Sequence, residues 1–217
     1  MKVLITGTAR GIGKKTAEKF LEYGHNVIGL DILESAISHS NYTHFVSDVR
    51  SDLPEVPDVE ILITCAGVQL PEEDAIAVNL TGTIRTVEKY ATQPKIRSVL
   101  TLGSASGING AEFPLYSASK GGVIAYTKNV ALRIAGFGAT ANCLCPGGVY
   151  TDSNAPVLND AKLREEVMKE NLFGRWAEEE EIADWIYFLT VLNKSMTGQE
   201  LLIDNGEMLK SNFVWPK

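Results

Sequence analysis

Cysteine is scarce in this 217-residue chain: Cys65, Cys143 and Cys145 are all it has. Two of them stand two apart in an apolar run with no other Cys near in sequence, so neither a disulfide framework nor a zinc cluster is expected. Buried free thiols are the reading that remains. Long apolar runs are missing too. Nothing approaches the ~18 uninterrupted apolar residues of a membrane span, and the opening "MKVLITG" is too brief for a signal-peptide core. A cytoplasmic protein with no membrane partner is expected. Positive charge is in deficit: 20 Lys and Arg face 27 Asp and Glu, a formal net charge of −7. A nucleic-acid surface needs a basic stripe, so nucleic acid is not an expected partner. Linkers, internal repeats and low-complexity tracts are also lacking. One domain over 1–217, with 45% hydrophobic residues to build its core, is the expectation.

What the chain does have is alternation. Apolar runs at 2–6, 24–31, 43–48, 59–67, 97–104, 139–148 and 199–206 read as strands. Helix-period segments lie between them at 14–23, 73–91, 115–135, 156–171 and 178–192. In the first, Ala17, Phe20 and Leu21 share one side. The acidic run Glu178–Glu181 falls at a helix start, where negative charge suits the macrodipole. Continuously apolar strands separated by helices predict a parallel sheet covered on both faces, a doubly wound, Rossmann-like α/β domain of about seven strands. The stretch 49–60 carries two prolines in twelve positions and is expected to be a loop or a single helical turn.

Glycine is placed with purpose in "ITGTARGIGKK", at positions 7, 11 and 13, where the first strand gives way to the first helix. In such a fold this turn seats a dinucleotide pyrophosphate on backbone N–H groups at the helix N-terminus. The spacing is G-x-x-x-G-x-G, and glycine-rich turns also serve plain helix capping. The next strand ends in "GLD", and Asp31 there would accept from an adenosine ribose and repel a 2′-phosphate. That favours NAD(H). Arg10, inside the loop, is the kind of residue that pairs a 2′-phosphate, which keeps NADP(H) open.

"YSASK" puts Tyr116 and Lys120 four apart on one helix face. A phenol ionises near pH 10, so a tyrosine working as a base near neutrality needs help. A lysine cation ~5 Å away supplies roughly 3 kcal/mol at an effective dielectric near 20. "TLGSASG" ends the preceding strand at the carboxyl edge of the sheet, where Ser104 could donate to a substrate carbonyl.

With these residues the chain resembles the short-chain dehydrogenase/reductase family, 3-oxoacyl carrier protein reductases included, over essentially its whole length. "TGTARGIG" looks like the family's cofactor loop and "YSASK" like its Tyr-x-x-x-Lys. "VNLTG", "PGGVYTD" and "MTGQELLIDNG" follow in the family's order. The resemblance implies that Tyr116 is the general acid/base, that Lys120 binds the nicotinamide ribose and lowers the tyrosine pKa, and that Ser104 polarises the carbonyl. It implies that Asn79 holds a water in the proton relay. Cofactor contacts are implied for Gly7, Arg10, Gly11, Ile12, Gly13, Asp31, Asp48, Val49, Ala66, Gly67, Pro146, Gly147, Val149 and Thr151, besides Tyr116 and Lys120. The family's Asn-Asn-Ala-Gly is "TCAG" here, Thr64 to Gly67.

The expected function is hydride transfer between NAD(H) and a small secondary alcohol or ketone. A dinucleotide-binding regulator without turnover would be expected to lack Tyr116, Lys120 or Ser104. A nucleotide-sugar epimerase or dehydratase usually needs a larger C-terminal region than follows Thr151. Gln69, Ser106, Ile108 and 154–158 are candidate substrate-lining positions, the last on a lid-like segment after "PGGVYTDSNAP". Lys128 and Arg133 are either a local patch for an acidic carrier or solvated helix charges. The helices at 73–91 and 115–135, with the small residues Ala118, Gly121, Gly122 and Ala125, resemble those that pair subunits in the family. They imply a homodimer or homotetramer.

Overall fold

Each apolar run read as a strand forms one. The computed structural model describes residues 1–111 and 113–209. Glu112 and 210–217, the end of the expected 1–217 unit, lie outside the described residues. The strands are β1 (Lys2–Thr6), β2 (Asn26–Asp31), β3 (Tyr42–Val46), β4 (Ile61–Thr64), β5 (Ser98–Leu102), β6 (Thr140–Pro146) and β7 (Glu200–Ile203). The α-helices are α1 (Gly11–Glu22), α2 (Thr83–Tyr90), α3 (Ala105–Asn109), α4 (Pro114–Ile134), α5 (Ala155–Leu158), α6 (Ala161–Met168) and α7 (Glu179–Tyr187).

The strands form one parallel sheet in the order β3-β2-β1-β4-β5-β6-β7. The chain starts in the middle, builds outward to β3, and then crosses back to lay β4 on the other side of β1. That reversal opens a crevice at the carboxyl ends of β1 and β4, the place where open α/β sheets bind ligands.

Side chains of the central strands alternate between two apolar layers. Leu4, Leu62, Val99 and Ala141 pack with Tyr90, Val130 and Ile134 on one face. Val3, Ile5, Ile61, Ile63, Leu100 and Leu144 pack with Phe20, Leu21, Ile182 and Ile186 on the other. All four residues of β4 and all seven of β6 are buried, whereas the edge strand β3 is largely open to solvent. Burial on both faces is why the central strands read as unbroken apolar runs.

The helices differ from expectation in four places, one being the end of the helix expected over 178–192, where α7 passes into a π-helical stretch (Phe188–Leu192). The segment expected as one helix over 73–91 is a 3-10 turn (Glu72–Asp74), a π-helical stretch (Ile76–Gly82) and then α2. The one expected over 156–171 is split into α5 and α6, because the Asp160 carboxylate accepts from the N–H groups of Lys162 and Leu163 and starts a new helix. Short α3 was not expected; Ser104 caps it and Gly110, in the left-handed region, ends it.

The crossover from β3 to β4 contains no helix, as its prolines suggest. It runs as an irregular strap whose Leu53, Val56 and Val59 plug into the core. Side chains around α2 satisfy its backbone. The Tyr90 hydroxyl donates to the Pro54 carbonyl (2.6 Å), Lys89 Nζ to Leu53 (2.6 Å) and Gln93 Nε2 to Val56 (2.8 Å). Gln93 Oε1 accepts from the Val59 N–H at 3.0 Å. Polar backbone that would otherwise be stranded against the core is thereby paired.

Candidate active site

The glycine loop leaves β1 at Gly7 and enters α1 at Gly11. Its glycines answer to different demands. A Cβ on Gly13 would sit 2.0 Å from the Gly7 carbonyl oxygen, so this position is bare to let helix and strand touch. Gly11 has φ +62, and the space beside it is open, with Glu179 Oε1 at 3.9 Å the nearest atom. There the backbone is turned left-handed and uncovered, as close approach of a phosphate requires. This cradle, together with the free first turn of α1, fits a dinucleotide. Ile12 packs against the core, and Arg10 is exposed with no side-chain partner among the described residues.

Asp31 ends β2 beside the loop. Its Oδ2 accepts from the Ala9 N–H (2.9 Å) and its Oδ1 from the Leu33 N–H (3.0 Å). Each oxygen keeps a lone pair for a further donor. Asp48, after β3, is taken up by Arg50, which grips both carboxylate oxygens at 2.8–3.1 Å. That guanidinium holds the Asp48 carboxyl below the usual carboxylate range. Val49 is buried, and a Cβ on Gly82 would meet its Cγ2 at 2.5 Å.

The end of β4 brings a second backbone segment to the crevice. The Ala66 N–H donates to Thr6 Oγ1 (3.1 Å), locking the "TCAG" turn onto β1. A Cβ on Gly67 would lie 3.1 Å from Asn79 Oδ1 and 3.5 Å from Lys120 Nζ, so these three residues meet. Cys65 lies under the loop, and burial pushes its thiol up to about 12.

Asn79 is 1% exposed and sits in the π-helical stretch, a geometry frequent at functional sites. Its amide clamps the Val68 backbone: Oδ1 accepts from the Val68 N–H (2.8 Å), and Nδ2 donates to the Val68 carbonyl (2.9 Å). Nδ2 also donates to Ser119 Oγ at 3.0 Å, and Ser119 in turn donates to the Tyr116 carbonyl at 2.7 Å. Ser119 was not singled out from the sequence; its place inside "YSASK", one residue before Lys120, was the available sign.

Tyr116 is half-buried in the first turn of α4. Lys120 is 5% exposed, and its Nζ stands 5.8 Å from the centre of the Tyr116 ring. No carboxylate neutralises this buried ammonium among the described residues. It donates to the Leu102 carbonyl at 2.8 Å, at the end of β5. Ser104 follows two residues later, 8% exposed, with Oγ accepting from the Ser106 N–H at 3.2 Å. Candidate acid/base and cation therefore stand together on α4, and the Leu102 carbonyl ties them to the strand that leads into the candidate carbonyl donor.

Pro146 closes β6 and Gly147 lies against Asp204. Val149 is buried and bridges to Ala177, while Asn154 Nδ2 donates to the Val149 carbonyl (2.8 Å) and holds the start of the 154–158 segment. Thr151 is half-buried just before it. Lys128 and Arg133 form no open patch: Lys128 pairs with Glu200 at 2.5 Å, and Arg133 grips Glu88 at 2.7 and 2.9 Å. Cys143 and Cys145 are buried free thiols, their sulfurs 3.8 Å apart. Among the described residues no group of three His, Cys, Asp or Glu is placed to hold a metal, and no helix is long and apolar enough to cross a membrane.

Comparison with known proteins adds to this geometry. A family model described as enoyl-(acyl carrier protein) reductase matches residues 70–207. The 3-oxoacyl-[acyl-carrier-protein] reductase of Chlamydia pneumoniae is 31% identical over 239 residues, covering 94% of this chain and 96% of that protein. The glucose 1-dehydrogenase of Gluconobacter oxydans is 28% identical, with 98% and 93% covered. A crystal structure of a short chain dehydrogenase family protein from Francisella tularensis superposes with a TM-score of 0.85 at 25% identity, covering 96% of this chain and 99% of that one.

Proposed function

The chain belongs to the short-chain dehydrogenase/reductase family, and on that footing we propose that Tyr116, Lys120, Ser104 and Asn79 form its catalytic group. The protein is an NAD(P)-dependent oxidoreductase acting on CH–OH and C=O groups. What carries the assignment of roles is the Tyr116–Lys120 pair, in which a buried ammonium stands 5.8 Å from the phenol ring. Tyr116 gives or takes the proton at its hydroxyl, with that cation beside its ring. The Ser104 hydroxyl donates to the substrate oxygen as charge develops on it. Asn79 holds the Val68 backbone and, through Ser119, the helix turn that presents Tyr116.

The dinucleotide supplies the hydride or accepts it when bound. We assign its pyrophosphate to Gly7, Arg10, Gly11, Ile12 and Gly13, and its adenosine to Asp31, Asp48 and Val49. Its nicotinamide half falls to Ala66, Gly67, Lys120, Pro146, Gly147, Val149 and Thr151. NAD(H) is the preferred form, because the Asp31 carboxylate lies against the loop and would repel a 2′-phosphate.

The substrate is a small-molecule secondary alcohol or ketone, with acyl thioesters, sugars, steroids and small ketones as its candidate classes. An acidic carrier protein finds no attraction in a net charge of −7, and the two cations that might have met it, Lys128 and Arg133, are ion-paired. The active form is a cytoplasmic homodimer or homotetramer of one 1–217 domain. Sedimentation equilibrium showing only a 23.6 kDa species would rule out the assembly.

The deciding experiment follows nicotinamide absorbance with NAD(H) and NADP(H) against secondary alcohols, ketones, sugars and a 3-oxoacyl thioester. Wild type is run beside Tyr116→Phe. Turnover that prefers NAD(H) and vanishes in the variant is expected. Undiminished turnover in Tyr116→Phe removes the tyrosine from its role.

A further inference from the structure

The first turn of α4 lacks a cap of its own. Phe113, its N-cap residue, offers no side-chain acceptor, and Pro114 has no N–H to satisfy. The next amide, Leu115 N–H, immediately before Tyr116, donates instead to Glu72 Oε1 at 2.5 Å, across a separation of 43 residues. Glu72 belongs to the same segment that Asn79 clamps at Val68. Asn79 continues through Ser119 to the Tyr116 carbonyl. The backbone on both sides of Tyr116 is therefore gripped by one stretch of chain, 68–79: by Glu72 before it and by Asn79 with Ser119 after it.

We propose that Glu72 and Ser119 are positioning residues that close a hydrogen-bonded ring around Tyr116, with 68–79 as its outer arc. The ring fixes the helix turn from which the phenol projects. A carboxylate suits the amide end, since negative charge at a helix N-terminus is favourable there. A hydroxyl suits the other end, because Ser119 must accept from Asn79 and donate to Tyr116 at once. The inference rests on the assignment of Tyr116 as acid/base only for its effect on turnover; the ring itself is a matter of hydrogen bonds.

The test is hydrogen–deuterium exchange by mass spectrometry on the full chain as wild type, Glu72→Ala, Glu72→Gln and Ser119→Ala. Peptides over 113–120 are expected to exchange roughly fivefold faster or more in Glu72→Ala and Ser119→Ala, while peptides over 11–22 stay unchanged. Glu72→Gln keeps an acceptor for the Leu115 N–H and is expected to restore most of the protection. Wild-type protection of 113–120 in Glu72→Ala overturns the proposal, as does Glu72→Gln behaving like the alanine variant. Should Glu72→Ala fail to fold, Ser119→Ala carries the same comparison, and unchanged exchange there overturns the ring. With the dinucleotide and ketone that wild type turns over fastest, Glu72→Ala should lower kcat about tenfold with the dinucleotide KM unmoved. If wild type turns over nothing, the exchange data still judge the ring, and only the catalytic reading fails.

Discussion

The ammonium of Lys120 and the carbonyl of Leu102 are joined by a hydrogen bond of 2.8 Å, which ties the helix bearing Tyr116 to the strand leading into Ser104. Lys120 thus does two things, and its removal is expected to show both. Lys120→Met leaves the Leu102 carbonyl without its donor and the phenol without its cation. Turnover should fall about 100-fold. Steady-state kinetics of the variant beside wild type, with urea titrations for the lost hydrogen bond, check this.

Gly13 and Gly136 should respond in opposite ways to an added methyl group. In Gly13→Ala the Cβ meets the Gly7 carbonyl oxygen, and a loss of about 1–3 kcal/mol is expected together with loss of dinucleotide binding. Gly136 has nothing within 4 Å of its would-be Cβ and no left-handed backbone, so Gly136→Ala should leave stability equal or raise it by about 0.5 kcal/mol. Urea titrations read the first quantity and fluorescence titration with NADH the second.

Asp31 and Arg10 are expected to set cofactor choice. Asp31→Ser removes the charge that opposes a 2′-phosphate and should shift the NADH/NADPH preference roughly tenfold toward NADPH. Arg10→Ala in that background should undo much of the gain, since the exposed guanidinium is the nearest candidate partner in the loop. The ratio of kcat/KM values for the two dinucleotides measures both changes.

His25 should make stability depend on pH. It is buried between Phe20 and Tyr187, with Nδ1 3.3 Å from the terminal ammonium and Nε2 3.4 Å from the Tyr187 hydroxyl. Burial first, and that ammonium second, pull its pKa below the ordinary 6.5. The unfolded chain therefore binds a proton that the folded chain refuses. Stability is complete above about pH 6.5 and falls as the pH drops toward the lowered folded value. The urea midpoint should decline from pH 7.5 to 5.5 in wild type and decline less in His25→Gln.

The sheet was legible because β1, β4, β5 and β6 are buried on both faces, and double burial writes itself as an apolar run. Tyr116, Lys120 and Gly11 stood out as candidates because each sits in a motif of short spacing, which a local pattern records. The unusual winding at Asn79 was not, since a π turn and an α turn accept the same side chains. The grip of Glu72 on Leu115 spans 43 residues, which no local pattern records. Lys128 and Arg133 looked like free charges because their partners, Glu200 and Glu88, lie 72 and 45 residues away.

The strap between β3 and β4 is held largely by side chains that grasp its carbonyl oxygens, at Leu53, Pro54 and Val56, with Lys89 also pairing its Glu55 carboxylate. That is how a receptor groove holds a bound peptide, by main chain with a few apolar anchors. A segment held this way leans on its own sequence chiefly at the anchors and at the paired Glu55 and Asp58. Its exposed, unpaired positions can change while the anchors stay, and the crevice at the carboxyl ends of β1 and β4 need never register it.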